Sequence, residues 1–467
     1  MRNLRSARAA GLGIAALTLA LTAGACGSDR DSEDAGSTGG TGDNGSTQSS
    51  ATTFGDLESP CGEGDASGAT DQGVTDDSIT IGYGDDRGFA AAPGLNQELG
   101  DGVKAMIAWC NEQGGINGRQ IVGNQYDAAM TNAAAVVQKS CKADFMLVGQ
   151  GFAYDEAAEQ FRVGCDLPTV AAFTIGPNAS MGPDKFESVP RPVDFFNGTL
   201  MDANMQVHPE IKDGVTALGS TSSPIQQSAT KVMDIAGELG ATVEDCGVTL
   251  SQDGEANYVP FAEKFKECGA SALWMSNSPS PIAFGLLEAL QRVDAGMKYA
   301  FESTWYGDIT SQWNAQSGAA DGLIASLVFQ PLENADVVPA VQDYVDIVDG
   351  AGVKKSLIGM QAVSAFLLWA DVAKDCGSDL TRDCMVEGLS NVHEWTGGGL
   401  HAPSDPGGNM PPSCALVVQL EGEKFSQVFP EEQGEFQCDE SKILEVDPAT
   451  AGVKLDADRI STAFAKK

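Results

Sequence analysis

The sequence predicts an α/β protein of two lobes, each a mostly parallel sheet flanked by helices. Three observations predict it. Short strand-forming runs alternate with helical stretches between Ile79 and Phe173, the pattern of βαβ units. The alternation breaks in a proline-punctuated stretch, Pro177 to Pro192, and restarts at Gly214, which argues for a second α/β domain rather than a longer first one. A chain of 467 residues is long enough for two domains of ordinary size.

The segment Asp77 to Asp127 organises the first lobe. Ile79 to Tyr83 reads as a strand, and glycine-rich turn chemistry follows from Gly84 to Gly94. A helix spans about Gln97 to Glu112, with Val103, Met106, Ile107 and Cys110 on one face. Gly114 to Gly118 is a sharp turn, and Gln120 to Asp127 is the next strand. Further strands are expected at Asp144 to Gly149 and Leu167 to Phe173, with helices at Asn132 to Cys141 and Tyr154 to Val163.

A helix at Gly198 to Gln206 leads to the second series. Its strands are Gly214 to Leu218, Ala241 to Leu250, Ala270 to Met275, Lys298 to Phe301 and Leu323 to Phe329. Its helices are Pro224 to Leu239, Tyr258 to Cys268 and Pro281 to Val293. Three helices follow, Val337 to Val348, Leu357 to Lys374 and Leu380 to Leu389. Cys414 to Leu420 and Phe425 to Phe429 form a hairpin, with Gly422 available for positive φ. Residues 439–467 are a weakly patterned C-terminal extension.

The formal charge is -37, from 65 acidic and 28 basic residues. Nucleic acid is a poor partner for such a surface, since phosphate binding needs a basic patch. No segment after the first 25 residues reads as a membrane span.

Arg2, Arg5 and Arg8 precede an apolar run, Leu12 to Leu21, and together these read as a signal peptide, residues 1–25. Ala23, Gly24 and Ala25 lead to Cys26. This resembles the bacterial lipoprotein signal, whose cysteine is lipidated; an ordinary Ala-x-Ala cleavage site also fits. Residues 26–73, rich in Gly, Ser, Thr and Asp, read as a disordered tether. Phe54, Leu57 and Cys61 are the exception and are expected to pin its end to the first lobe.

With Cys26 set aside, ten cysteines remain, an even number that suggests disulfides in an exported chain. Proximity favours Cys376–Cys384, Cys414–Cys438 and Cys246–Cys268. One of Cys110, Cys141 and Cys165 is expected to reach Cys61, and the connectivity stays open. With three histidines and no Cys-x-x-Cys, no metal or other cofactor is expected.

Glu112-Gln113-Gly114-Gly115-Ile116-Asn117-Gly118-Arg119-Gln120-Ile121 resembles a segment of the type I periplasmic binding proteins. The likeness is to the leucine/isoleucine/valine-binding family that serves ABC importers. Ile79 to Gly84, Tyr126-Asp127-Ala128, Val148-Gly149-Gln150-Gly151, Leu167-Pro168-Thr169-Val170 and Trp395-Thr396-Gly397-Gly398 also fit, in order. The resemblance implies two lobes joined by three crossings, near Phe195, Phe329 to Leu332, and Asn391 to Glu394. Lobe 1 would hold 76–195 and 332–391, and lobe 2 would hold 197–330 and 394–438. It also implies a small solute trapped by hinge closure, a permease partner in the cytoplasmic membrane and no catalysis. A monomer on the extracytoplasmic face is expected. A ligand sensor or scaffold with the same fold is the alternative.

Amino-acid-binding members hold the ligand carboxylate with small hydroxyl residues and backbone N–H groups of lobe 1. Here Gln150-Gly151-Phe152 stands where serine is usual, and Thr174 is retained in the next loop. Asp86, Arg87 and Phe89 are candidates in the first loop, Arg87 as a fork for a carboxylate. Solvated salt bridging is the plainer account of Arg87. In lobe 2 the candidates are Ser222, Asn277, Trp305 and Tyr306, with Trp305 expected to stack on ligand, and Glu302 and Asp308 as acids for an ammonium. No Gly-x-Ser-x-Gly or Gly-x-Gly-x-x-Gly setting supports an enzyme.

Overall fold

The computed structural model describes residues 53–90, 92–220, 235–275 and 277–464. The expected lipidation site Cys26, the signal segment, Ser222 and most of the expected helix Pro224 to Leu239 lie outside them.

The chain enters through a small hairpin, β1 (Thr53–Phe54) and β2 (Leu57–Glu58). Phe54 is fully buried with its ring edge-on to Trp109, and Gly55 donates its N–H to Asp343. Residues 53–73, expected to belong to a disordered tether, are instead ordered, because an aromatic anchor and a disulfide, Cys61–Cys110, hold the chain from Thr53 to β3.

The first sheet contains β3 (Ser78–Asp85), β4 (Gln120–Asp127), β5 (Met146–Val148), β6 (Thr169–Ala171) and β7 (Lys185–Glu187). Its order is β4-β3-β5-β6-β7, all parallel. Between the strands run α1 (Gln97–Glu112), α2 (Ala133–Ala143) and α3 (Glu156–Gly164). Gly115, at φ 80°, turns α1 into β4, and a Cβ there would stand 2.0 Å from the Arg119 carbonyl. Strand β7 falls in the stretch expected to be loop; its short Lys185-Phe186-Glu187 run is held by a buried Lys185–Glu187 ion pair at 2.7 Å.

After β8 (Phe195–Asn197) come α4 (Thr199–Val207), α5 (Glu210–Asp213), β9 (Val215–Gly219) and β10 (Thr242–Glu244). Next are α6 (Val259–Glu267), β11 (Ala270–Met275), α7 (Pro281–Arg292), β12 (Lys298–Phe301), α8 (Asp308–Ser317) and β13 (Ile324–Leu327). The second sheet runs β10-β9-β11-β12-β13 in parallel and is then extended by antiparallel strands. The parallel portions of both sheets thus share one order, with the second strand outside the first.

The chain returns to the first lobe as α9 (Pro339–Gly350), α10 (Leu357–Cys376) and α11 (Arg382–Ser390). Helix α10 is the spine of the first core: fifteen of its residues are buried, among them Phe366 and Trp369. Contrary to expectation, Leu357–Asp379 has the length and mean hydropathy (1.3) of a membrane span, but 78% of its apolar window is buried inside this lobe.

The chain finishes with β14 (Cys414–Glu421), β15 (Lys424–Phe429), β16 (Gln437–Cys438) and β17 (Ile443–Glu445). Gly422 takes φ 61° in the β14–β15 turn.

Two expected boundaries move. Trp395 and Leu400 pack in the first core, and Trp395 Nε1 donates to Ser364 of α10, so residues 395–409 belong with lobe 1 and not lobe 2. Residues 439–464 are no loose extension, since β17 pairs with β8.

The disulfides among the described residues are Cys61–Cys110, Cys141–Cys165 and Cys376–Cys384 in lobe 1 and Cys246–Cys268 and Cys414–Cys438 in lobe 2. Each closes within one lobe, so none of these covalent bonds opposes a swing between lobes.

Candidate functional site

An open α/β sheet binds ligand beyond the carboxyl ends of its strands, at the point where the strand order reverses. In lobe 1 that point lies between β3 and β5, and in lobe 2 between β9 and β11. The two ends face each other. Helix α1 starts just beyond β3 and α8 just beyond β12; Lys354 joins them, 3.7 Å from Glu98 and 3.5 Å from Asp308. Glu302, the residue after β12, is exposed to water at the strand end of lobe 2. The surrounding protein pushes its carboxyl up to about 7, and the charge of Arg191 acts the other way.

The first-lobe loops are held by one buried carboxylate, Asp86, and two half-buried ones, Asp155 and Glu156. Asp86 accepts the N–H groups of Met130 (2.6 Å) and Ala153 (2.7 Å), tying the loops after β3, β4 and β5 together. Asp155 accepts from Ile175 (2.8 Å) and Gly176 (2.7 Å), and Glu156 accepts from Asn178 and Ala179. Burial pushes Asp155 up to about 6, against the pull of those backbone hydrogen bonds. Asp155 and Glu156 were missed in the sequence, although two acids opening a helix directly after a strand end are a signal for capping. Lys354 carried no such signal.

Several expected ligand contacts have other work. The Asp86 carboxylate is filled by backbone donors. The Arg87 fork is spent on Asp85 (2.7 Å), Asp101 (2.9 Å) and the Gln97 carbonyl (2.9 Å), and these partners raise its pKa further. Phe152 lies in a side cluster with Val137, Leu147 and Leu167, 4% exposed. Trp305 is fully buried, packed on Phe301 and Phe284 and donating to the Asn277 carbonyl, so it stiffens the core of lobe 2 and offers no face to a ligand. Tyr306 donates to Glu333 (2.7 Å) and accepts from the Leu332 N–H (2.6 Å), closing the second crossing. Each of these residues stands near a strand end, as the sequence places it, and its side chain turns toward protein partners that only the folded chain supplies.

Phe89 stays half-buried in the loop after β3. Gln150 and Thr174 line one small cavity inside lobe 1, with Asp155, Thr169, Arg162 and Lys185 and the apolar side chains of Val137, Leu147 and Phe152. Gln150 donates to Thr169 at 2.6 Å, while Gln150 Oε1 and Thr174 Oγ1 are buried without a protein partner. Beside it, Tyr154 (55%) and Ile175 (56%) are exposed at the rim of lobe 1, and Ile309 (64%) at that of lobe 2.

Ser364 and His401 form a hydrogen bond of 2.8 Å, but both are sealed in the first core, where no substrate reaches them. Among the described residues no group of three or more His, Cys, Asp or Glu is placed to hold a metal.

Two lobes of one strand order, crossed three times and facing across a cleft, constitute the type I periplasmic-binding-protein fold. The periplasmic binding protein family model matches residues 208–424. No curated protein matches the sequence. Among solved structures, a solute-binding protein of an ABC transporter from R. palustris, in complex with 4-hydroxybenzoate, is 13% identical. The match covers 78% of this chain and 98% of that one, at a TM-score of 0.61. A branched-chain amino acid transporter substrate-binding protein from Streptococcus pneumoniae, in complex with isoleucine, is 14% identical over 79% of this chain and all (100%) of that one, TM-score 0.59. An ABC transporter substrate-binding protein from Desulfitobacterium hafniense, in complex with Leu, is 14% identical over 75% and 100%, TM-score 0.58.

Proposed function

We propose that the chain is the extracytoplasmic solute-binding component of an ABC importer, tethered to the membrane through lipid on Cys26. It captures a small polar solute, an amino acid or a derivative, by closing its lobes. The facing strand ends carry this reading: they make a cleft whose two walls belong to lobes that, among the described residues, no disulfide joins. A solute that touches both walls has more contacts when the lobes close, and that difference shifts the population toward the closed form. Glu302 supplies an acid at the strand ends of lobe 2. Tyr154, Ile175 and Ile309 at the rims suit an apolar portion of the same solute.

Thermal-shift screening of the whole mature chain, made in an oxidising compartment, tests this. The library holds amino acids, their amides, aromatic acids, short peptides, polyamines and sugars. A ligand of the native state must raise the apparent stability, and small-angle scattering should show compaction with the same compound. Silence across the library from a well-folded sample would move the assignment to a sensor or scaffold.

A further inference from the structure

The C-terminal segment leaves lobe 2 at Cys438, where a disulfide to Cys414 fixes it. It then runs along the first crossing. Ile443, Leu444 and Glu445 pair antiparallel with Asn197, Phe196 and Phe195. The N–H of Gly198 donates to Lys442 (2.8 Å) and that of Val446 to Asp194 (2.7 Å), so the ladder is closed at both ends. The first crossing is therefore one strand of a two-stranded ribbon and not a bare linker.

Beyond the ribbon, Arg459 donates to both oxygens of Asp194 (2.7 and 2.9 Å) and to the carbonyls of Gly408 (2.7 Å) and Asn409 (3.1 Å). Its guanidinium lies 4.9 Å over the ring of Phe195. Asp194 is the first-lobe root of the first crossing; Gly408 and Asn409 are the root of the third. One planar fork thus staples two of the three crossings, a geometry that lysine cannot reproduce. Further on, Ser461 donates its N–H to Met181 (2.8 Å) and its hydroxyl to Asn178 (2.7 Å). Asn178 is the residue that Glu156 holds at the end of the Thr174 loop.

We propose that residues 439–464 are a hinge strap: it limits how the lobes swing and positions the loop from Thr174 to Met181, with Arg459 and Ser461 as its positioning residues. Hinge motion is absorbed by a few backbone dihedrals. A crossing hydrogen-bonded to a second strand bends only if both strands bend, and Arg459 obliges two crossings to move together. The strap's purpose rests on the solute-capture reading; its mechanics do not.

The test compares the whole chain with the Arg459→Ala/Ser461→Ala double variant and with Arg459→Lys, by amide hydrogen exchange without any solute. The double variant should exchange about tenfold faster or more in peptides covering 174–181 and 194–198, with Gln97–Glu112 unchanged as the control for folding. Arg459→Lys should lie between, since it keeps charge and loses the fork, and it decides the matter if the double variant fails to fold. Faster exchange confined to 439–464, with 174–181 and 194–198 unmoved, would overturn the strap. That result leaves the solute-capture reading intact, just as a silent solute screen would leave the strap intact.

Discussion

Lys354 Nζ lies 3.5 Å from Asp308 Oδ2, an ion pair between lobes made at the mouth of the cleft. Both side chains are about half exposed, 48% and 56%, so the pair is worth at most about 1 kcal/mol and is screened by salt. Its weakness suits a contact that must form and break with lobe motion. Lys354→Glu places a third acid beside Glu98 and Asp308. The variant should show a larger radius of gyration by small-angle scattering at low salt and recover the wild-type value as salt is raised, with unfolding free energy changed by less than about 1 kcal/mol. A radius of gyration unchanged at low salt would show that the pair does not hold the lobes.

Tyr306 is a clasp on the second crossing. Its hydroxyl both donates to Glu333 and accepts from Leu332, and burial raises the pKa of the phenol and of the Glu333 carboxyl. Tyr306→Phe keeps the ring against Phe425 and strips both partners. Leaving a backbone N–H and a carboxyl underbonded should cost about 1–3 kcal/mol, read as a lower urea midpoint at an unchanged slope. Trp305→Phe, one residue away, tests a different point. It should reduce stability with little effect on solute affinity, since the indole faces the core; lost binding at unchanged stability would return it to the site.

The regular elements were legible because their periodicity is local. Gln97–Glu112, Gln120–Asp127, Ala270–Met275 and Lys298–Phe301 fall where the pattern places them. Lys185–Glu187 and Ile443–Glu445 were not, for each is only three residues long and becomes a strand only through its partner, Thr169–Ala171 for the first and the distant Phe195–Asn197 for the second. The cleft was legible as a set of loops at strand ends. Which side chains enter it was not: Asp86, Arg87, Trp305 and Tyr306 are claimed by partners that only the folded chain supplies.

Cys61–Cys110 closes a loop of 49 residues and anchors the entering segment to α1. Constraining an unfolded loop of that length is worth about 4 kcal/mol on the chain-entropy estimate. Cys61→Ser/Cys110→Ser should therefore lower stability by an amount of that order and free residues 53–75 for proteolysis, while solute-induced compaction persists. Loss of compaction with the lobes still folded would show that the entering segment takes part in closure.

His401 and Asp155 oppose one another in acid. His401 donates Nδ1–H to the Ala402 carbonyl, and its Nε2 accepts from Ser364; burial pushes its pKa down from 6.5 to about 4. Its contribution is present above pH 6.5 and is lost as pH falls through about 4, because the unfolded chain takes the proton first. Asp155 has the reverse sign. Its pKa is raised from 3.8 to about 6, so its contribution is full below 3.8 and fades as pH rises through about 6. Between those limits the two slopes oppose. Asp155→Asn removes the falling slope and leaves the rising one, a difference of at most about 1.4 kcal/mol per pH unit. Melting measured from pH 4 to 6 should therefore steepen in Asp155→Asn and show the opposite tilt in His401→Asn. Parallel curves for the wild type and Asp155→Asn would mean that Asp155 titrates at its ordinary value and that its grip on the Ile175–Gly176 backbone is the same throughout that range.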